Sequence, residues 1–209
     1  MEILAKIFGS DVRVKLMRIF LFNQDDAYTL SELSDRSRVP SAKVKKELLL
    51  LFSIGLIKKR PVSREVSMKK KKKIIVKKTH ETGYILDQKF VYLQPMKTLL
   101  TVASLHADDT LVRRFASAGK IKLFIASGLF IQEWDTRVDL LIAGDELSLT
   151  KVDTIVKNIE AEVGREISYS AFETSDFEYR FGIHDRLVRD ILDLPHVTLV
   201  DKLGIEEQA

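Results

Sequence analysis

The stretch Thr29-Leu30-Ser31-Glu32-Leu33-Ser34-Asp35-Arg36-Ser37-Arg38-Val39-Pro40-Ser41-Ala42-Lys43-Val44-Lys45-Lys46-Glu47-Leu48 decides how the first half of this chain is read. Thr29 and Glu32 have the spacing of a capping box, in which hydroxyl and carboxylate each satisfy a free backbone N–H at a helix start. That spacing predicts a helix from about Leu30 to Ser37. Arg38-Val39-Pro40 breaks it. Ser41 then reads as the N-cap of a second helix, with Val44, Leu48 and Leu51 on one face. This helix should end at Gly55, a residue suited to the left-handed C-cap position. Lys43, Lys45 and Lys46 fall opposite the apolar stripe.

Upstream, Leu4, Ile7 and Phe8 open an apolar pattern, Ser10 offers a cap oxygen, and Val12, Leu16, Ile19 and Phe20 recur at helical spacing. One helix is expected there, closed by the turn-forming Asn23-Gln24-Asp25-Asp26. Downstream, Leu56-Ile57 starts a strand and Tyr84-Ile85-Leu86 ends one, with the run Lys69-Lys70-Lys71-Lys72-Lys73 at or near the tip of the hairpin between them. Two short helices joined by a tight turn, the second with cations on its outer face, have the layout of a helix-turn-helix, and the hairpin supplies a wing. The segments Thr29 to Ser34, Val44 to Leu48 and Ile54 to Lys58 resemble bacterial and archaeal winged helix-turn-helix transcription regulators, ArsR-like ones among them. The resemblance covers about ninety residues. It implies a regulator whose first domain binds double-stranded DNA.

Charge points the same way. Residues 1–90 hold 21 Lys+Arg against 10 Asp+Glu, and residues 91–209 hold 13 against 20, so a modest net charge of +4 hides a basic half and an acidic half. A basic half calls for a polyanion partner. A helix with a cationic outer face can enter the major groove while wing lysines meet flanking phosphates. The expected nucleic-acid contacts are therefore Arg38, Ser41, Ala42, Lys43, Lys45 and Lys46, with Lys69, Lys70, Lys71, Lys72 and Lys73 on the wing. Lysine is a flexible point charge, so the three helix lysines suit phosphate anchoring more than base reading. Ser41 and Ala42, at the helix start, are better placed to touch base edges, and Arg38 is a further phosphate contact.

In the second half, Met96 to Ser104 and Asp108 to Ala118 read as bridging helices, Lys120 to Ala126 and Val138 to Ala143 as strands, and Leu149 to Val163 as an amphipathic helix. A strand over Glu166 to Phe172, a short one over Phe177 to Phe181 and a helix over Asp185 to Leu192 complete a small α/β sandwich. Ser127-Gly128 at a turn after the first strand, and Arg137-Val138-Asp139-Leu140-Leu141-Ile142 at the second, resemble the minimal nucleotidyltransferase fold from Lys120 onward. In that fold a Gly-Ser turn holds nucleotide phosphates and paired acids bind metal. Here the turn order is reversed, and Leu129-Phe130-Ile131 reads as a continuing strand. Only Asp139 matches the acid pair, Arg137 standing where the other acid belongs, and Ser168-Tyr169-Ser170 occupies the place of a third. Nucleotide transfer needs two or three acids converging on divalent metal, so the chemistry is expected to be absent.

No other catalytic pattern emerges. His80, His106, His184 and His196 lack metal-ligand spacing, and Asp135, Asp145 and Glu146 read as turn residues rather than an acidic site. Arg113 and Arg114 read as surface or ion-pair residues. Phe124, Phe130 and Trp134 are a candidate interface, although aromatic residues near a turn are more often the rim of a core. The chain has no cysteine, which excludes disulfides and thiolate sites. It shows no run of roughly 20 apolar residues and no basic-then-apolar leader, so a cytoplasmic protein off the membrane is expected.

The fold expected is thus α+β: a winged helix-turn-helix over 1–92, a helical connector over 93–119 and a small nucleotidyltransferase-like α/β domain over 120–204. The expected function is transcription regulation on duplex DNA, without enzymatic activity, cofactor or metal. A homodimer suits palindromic operators, although no self-complementary stripe stands out. Two alternatives stay open. One is an active metal-dependent nucleotidyltransferase using Asp139 with Asp135 or Asp145; the other is an adaptor whose winged helix docks on protein or RNA.

Overall fold

The computed structural model describes residues 3–70, 73–102, 109–133 and 136–205, and gives the backbone alone for 64–70, 73–79, 101 and 102. The chain is mixed α+β and divides into two compact units, 1–102 with 161–165, and 103–160 with 166–209.

The first unit is built around α2 (Asp11–Phe22), which begins where the Ser10 hydroxyl accepts from the Arg13 N–H. Val14, Leu16, Met17, Ile19, Phe20 and Leu21 are all buried, so this helix is wrapped on nearly every side. Arg18 is buried among them, its charge met by backbone carbonyls. Gly9 breaks the apolar run that precedes it with a positive φ of 72°, so the one helix expected here is two, a short α1 (Ile3–Phe8) and α2. Around α2 pack α3 (Leu30–Ser37), α4 (Ser41–Ser53) and the base of a three-stranded antiparallel sheet. Its strands are β1 (Tyr28–Thr29), β2 (Ile57–Lys70) and β3 (Lys73–Leu86), in the order β1-β3-β2. Pro61 can stand in β2 because an edge strand owes no ladder N–H on its open side.

The capping box forms as the spacing implies: Glu32 N–H donates to Thr29 Oγ1 at 3.3 Å and Thr29 N–H to Glu32 Oε2 at 2.7 Å. Ser41 behaves differently from its sequence reading. Pro40 occupies the N-cap and its carbonyl accepts from Lys43 and Val44, which makes Ser41 the first helical residue and frees its hydroxyl to donate to Ser34 Oγ at 3.1 Å. α4 closes where Leu56 N–H meets Leu51 O and Gly55 N–H meets Phe52 O, with Gly55 at φ 79°. This double bond pattern is the Schellman closure, which demands a left-handed residue after the cap.

After β3, α5 (Leu93–Lys97) runs into a π-helical turn over Thr98–Val102, so the helix expected over 96–104 changes winding within its span, its last two residues lying outside the described residues. Buried Arg18 donates from Nε to the Leu100 carbonyl at 3.0 Å.

The second unit carries a four-stranded sheet in the order β6-β5-β4-β7, formed by β4 (Lys120–Ser127), β5 (Leu140–Asp145), β6 (Tyr169–Glu173) and β7 (His196–Asp201). β4 is antiparallel to β5 and β7, while β5 and β6 run parallel through the crossover helix α7 (Leu149–Val163). Leu123 to Ala126 and Leu140 to Ala143 are buried without alternation, so the central strands are covered on both faces. One cover comes from α8 (Thr174–Gly182) and α9 (Arg186–Asp193), whose Phe177, Val188 and Ile191 meet Leu123, Ile125 and Leu141. The bridging helix expected over 108–118 is the shorter α6 (Asp109–Arg114).

Three expectations are corrected here. Phe177 to Phe181 is part of α8, not a strand: aromatics at alternate positions of a five-residue window fit either period, and the i,i+4 pair Phe177 and Phe181 stacks with ring centres 6.2 Å apart. Leu129 to Ile131 does not continue β4, because Gly128 turns the chain at φ 53° into a 3₁₀ turn over Gly128–Phe130. Phe124 and Phe130 are buried rather than an exposed interface, the first against Phe115 at 5.2 Å. Trp134, Asp135 and His106 lie outside the described residues.

Candidate nucleic-acid interface

The turn between α3 and α4 is held by side chains that could have gone elsewhere. Arg38 takes the left-handed conformation at φ 54°, a strained choice for a residue with a Cβ. Val39 turns inward and is 9% exposed, while its carbonyl accepts from the Ser34 hydroxyl at 2.7 Å. Arg38 itself stays on the surface. The turn sets the start of α4, and Arg38, Ser41 and Ala42 are all exposed there.

Along α4 the buried residues are Val44, Glu47, Leu48 and Leu51. Burying each of the aliphatic three contributes roughly 1.5–3 kcal/mol, which locks the rotation of the helix about its axis. Lys43, Lys45 and Lys46 are exposed, and among the described residues none of them has an ion-pair partner. Glu47, the single acid of α4, faces inward and receives Arg13 Nε at 2.9 Å. Arg13 is steadied in turn by donating from Nη1 to the Phe8 carbonyl at 2.6 Å. The pairing matters for the outer face, because it removes the one negative charge that would oppose a polyanion. Sequence reasoning missed it, although a Glu three residues after Val44 and one before Leu48 falls on the apolar stripe.

The hairpin is longer than a short wing. β2 and β3 pair without a register shift from Ile57↔Leu86 to Lys70↔Lys73, about 44 Å of ribbon at the usual rise. β1 covers only Tyr84 and Gly83 of it, so the outer part is two-stranded. Lys69, Lys70 and Lys73 take the last register positions before the tip, whereas Lys71 and Lys72 lie outside the described residues. Lys58, Lys59 and Arg60 add exposed cations at the base, and Lys59 Nζ sits 5.1 Å from the centre of the Phe52 ring. Cationic helix and hairpin therefore belong to one unit, with chemistry suited to a phosphate backbone.

The second unit holds its charges differently. Asp139 accepts from Leu129 N–H at Oδ1 (2.8 Å) and from Ser168 N–H at Oδ2 (2.9 Å), so both oxygens are used by backbone. Its own carbonyl accepts from Ser127 N–H, and the Ser127 hydroxyl donates to the Val138 carbonyl at 2.5 Å. A Cβ on Gly128 would run into the Asp139 and Thr136 side chains. Arg137 pairs with Asp190 through Nε at 2.5 Å. This is a clamp joining the end of β4, the start of β5 and the entry to β6.

The remaining candidates are equally engaged. Asp145 accepts from the Thr174 hydroxyl at 2.6 Å, which with the nearby Lys122 and Lys120 charges holds its carboxyl below the usual range. Glu146 pairs with Lys120, and Glu173 caps the N–H groups of Glu146 and Leu147. His80 bonds to Ser63, His196 to the Leu194 carbonyl, and His184 sits in a left-handed turn. Arg113 and Arg114 close α6 in its last turn. Among the described residues no three His, Asp or Glu side chains come together as metal ligands, and no helix is long and apolar enough to cross a membrane. No family model, curated protein or solved structure matches the chain.

Proposed function

We propose that this chain is a cytoplasmic, DNA-binding transcription regulator. In this reading residues 1–92 act as a winged helix-turn-helix on double-stranded DNA, and residues 120–204 are a catalytically silent, nucleotidyltransferase-like regulatory domain joined to it by 93–119. The observation that carries the reading is the outer face of α4: three exposed lysines, no acid, and a start fixed by the Arg38 turn. Arg38, Ser41, Ala42, Lys43, Lys45 and Lys46 would meet the duplex, with Lys69 to Lys73 of the ribbon on flanking phosphates. Two copies related by a two-fold axis would suit a palindromic site.

The silence of the second domain is supported by the backbone N–H bond that each Asp139 oxygen already accepts and by the Arg137–Asp190 pair. A divalent metal needs several converging oxygen ligands, and among the described residues no second and third acid join Asp139. A second reading, docking on a partner protein, is favoured by exposed Leu49, Leu50, Phe52 and Ile54 on and beside α4. Fluorescence anisotropy with duplex from the region upstream of the chain's own gene, against a scrambled duplex, separates the two. Preference for the native duplex supports the regulator. Equal and weak binding, no tighter than about 10⁻⁴ M, supports the adaptor.

A further inference from the structure

The lysines of α4 account for affinity and leave open what the helix reads. At 100° per residue the line opposite the buried stripe passes through Ala42, Lys46, Leu49 and Ser53. Leu49 is 58% exposed, Leu50 38% and Phe52 41%, although each could have been polar at no cost to the core. The outer face has no Asn or Gln to pair with adenine and no Arg to grip guanine in a bidentate way. What it does offer, flanked by Lys45 and Lys46, is apolar surface, and the apolar feature of the major groove is the 5-methyl group of thymine.

We infer that α4 reads thymine methyl groups, with Ala42 and Leu49 as its specificity-determining contacts. The inference rests on the duplex-DNA reading given above. It commits the exposed apolar surface of α4 to DNA because the flanking lysines match phosphate charge. Ala42 and Leu49 are two turns apart, about 10.5 Å along the axis. At about 3.4 Å of duplex axis per base pair, that separation spans up to about three base pairs of the site.

The test uses the full chain. A duplex is selected by the protein from a randomised pool, then compared with the same duplex carrying uracil for every thymine, which removes only the methyl groups. The expected result is a weakening of about fourfold for each methyl buried, with selected sites showing thymines within that span. Leu49→Ala, and Leu49→Gln as a second variant at this exposed position, should bind the thymine duplex less well and bring the thymine-to-uracil ratio closer to one. Comparing that ratio between wild type and variant isolates the contact from any general effect of uracil on the duplex. Equal wild-type affinity for both duplexes, or a ratio unchanged in both Leu49 variants, overturns the inference and leaves duplex binding standing. A protein that selects no duplex overturns the DNA reading and this inference with it.

Discussion

The outer face of α4 and the turn clamped by Asp139 are both charged, and they spend their charge in opposite ways. On α4 the cations reach solvent and the one acid is folded inward onto Arg13, so the charge stays available to something outside the chain. At Asp139 both carboxylate oxygens are taken by N–H groups of the chain itself, and the neighbouring Arg137 is taken by Asp190. Charge left unpaired at a surface is open to an outside partner, while charge bonded to backbone holds the local shape. A residue type in a suggestive position does not distinguish these cases; its partners do.

The comparison can be broken at its strongest point first. Replacing Lys43, Lys45 and Lys46 together by Glu should cost about a thousandfold in duplex affinity, read by anisotropy at low salt, with the circular dichroism spectrum unchanged. Retained affinity would mean that α4 is not the binding surface. Asp139→Ala should do the reverse, lowering stability by about 2–3 kcal/mol in urea denaturation because two N–H groups lose a charged acceptor, with the duplex affinity of the folded chain unaltered. A variant as stable as the parent would contradict the clamp.

Two glycines sharpen the same contrast at lower energy. Gly128 and Gly55 both have positive φ, but a Cβ at Gly128 meets Asp139 and Thr136 while one at Gly55 meets nothing within 4 Å. Alanine at 128 should therefore cost about 2 kcal/mol, and alanine at 55 only the backbone term of about 1 kcal/mol, both read from denaturation midpoints. The smallest effects lie at the two helix starts. Thr29→Ala should cost about 1 kcal/mol as a lost cap, and Ser41→Ala no more than about 0.5 kcal/mol, since Pro40 holds the cap position.

Much of the first unit was legible because its signals are local. The Thr29–Glu32 box, the break at Pro40 and the left-handed Gly55 each depend on residues a few positions apart, and α3 runs from Leu30 to Ser37 as the spacing implies. Ser41 misled because a hydroxyl one residue inside the helix resembles a cap in sequence. The second unit hides its logic in long-range contacts. Nothing near Asp139 in sequence reveals that it will accept from Ser168. The first unit has one such contact too, since Arg13 and Glu47 lie far apart before folding joins them. β7 was not expected, although Val197-Thr198-Leu199-Val200 has the residue types of a strand. The aromatics Phe124 and Phe130 left interface and core rim both open, because exposure is a property of the packed sheet and not of the turn beside them; both are buried.

The central claim, that the cations of the first unit are held ready for a polyanion, is tested most directly by the salt dependence of wild-type binding to duplex DNA. If Lys43, Lys45 and Lys46 each neutralise a phosphate, the logarithm of the association constant should fall against the logarithm of salt concentration with a slope of about −2.7 from these three alone, and more steeply with the hairpin lysines engaged. A slope near zero, or no binding tighter than about 10⁻⁴ M at low salt, would contradict it.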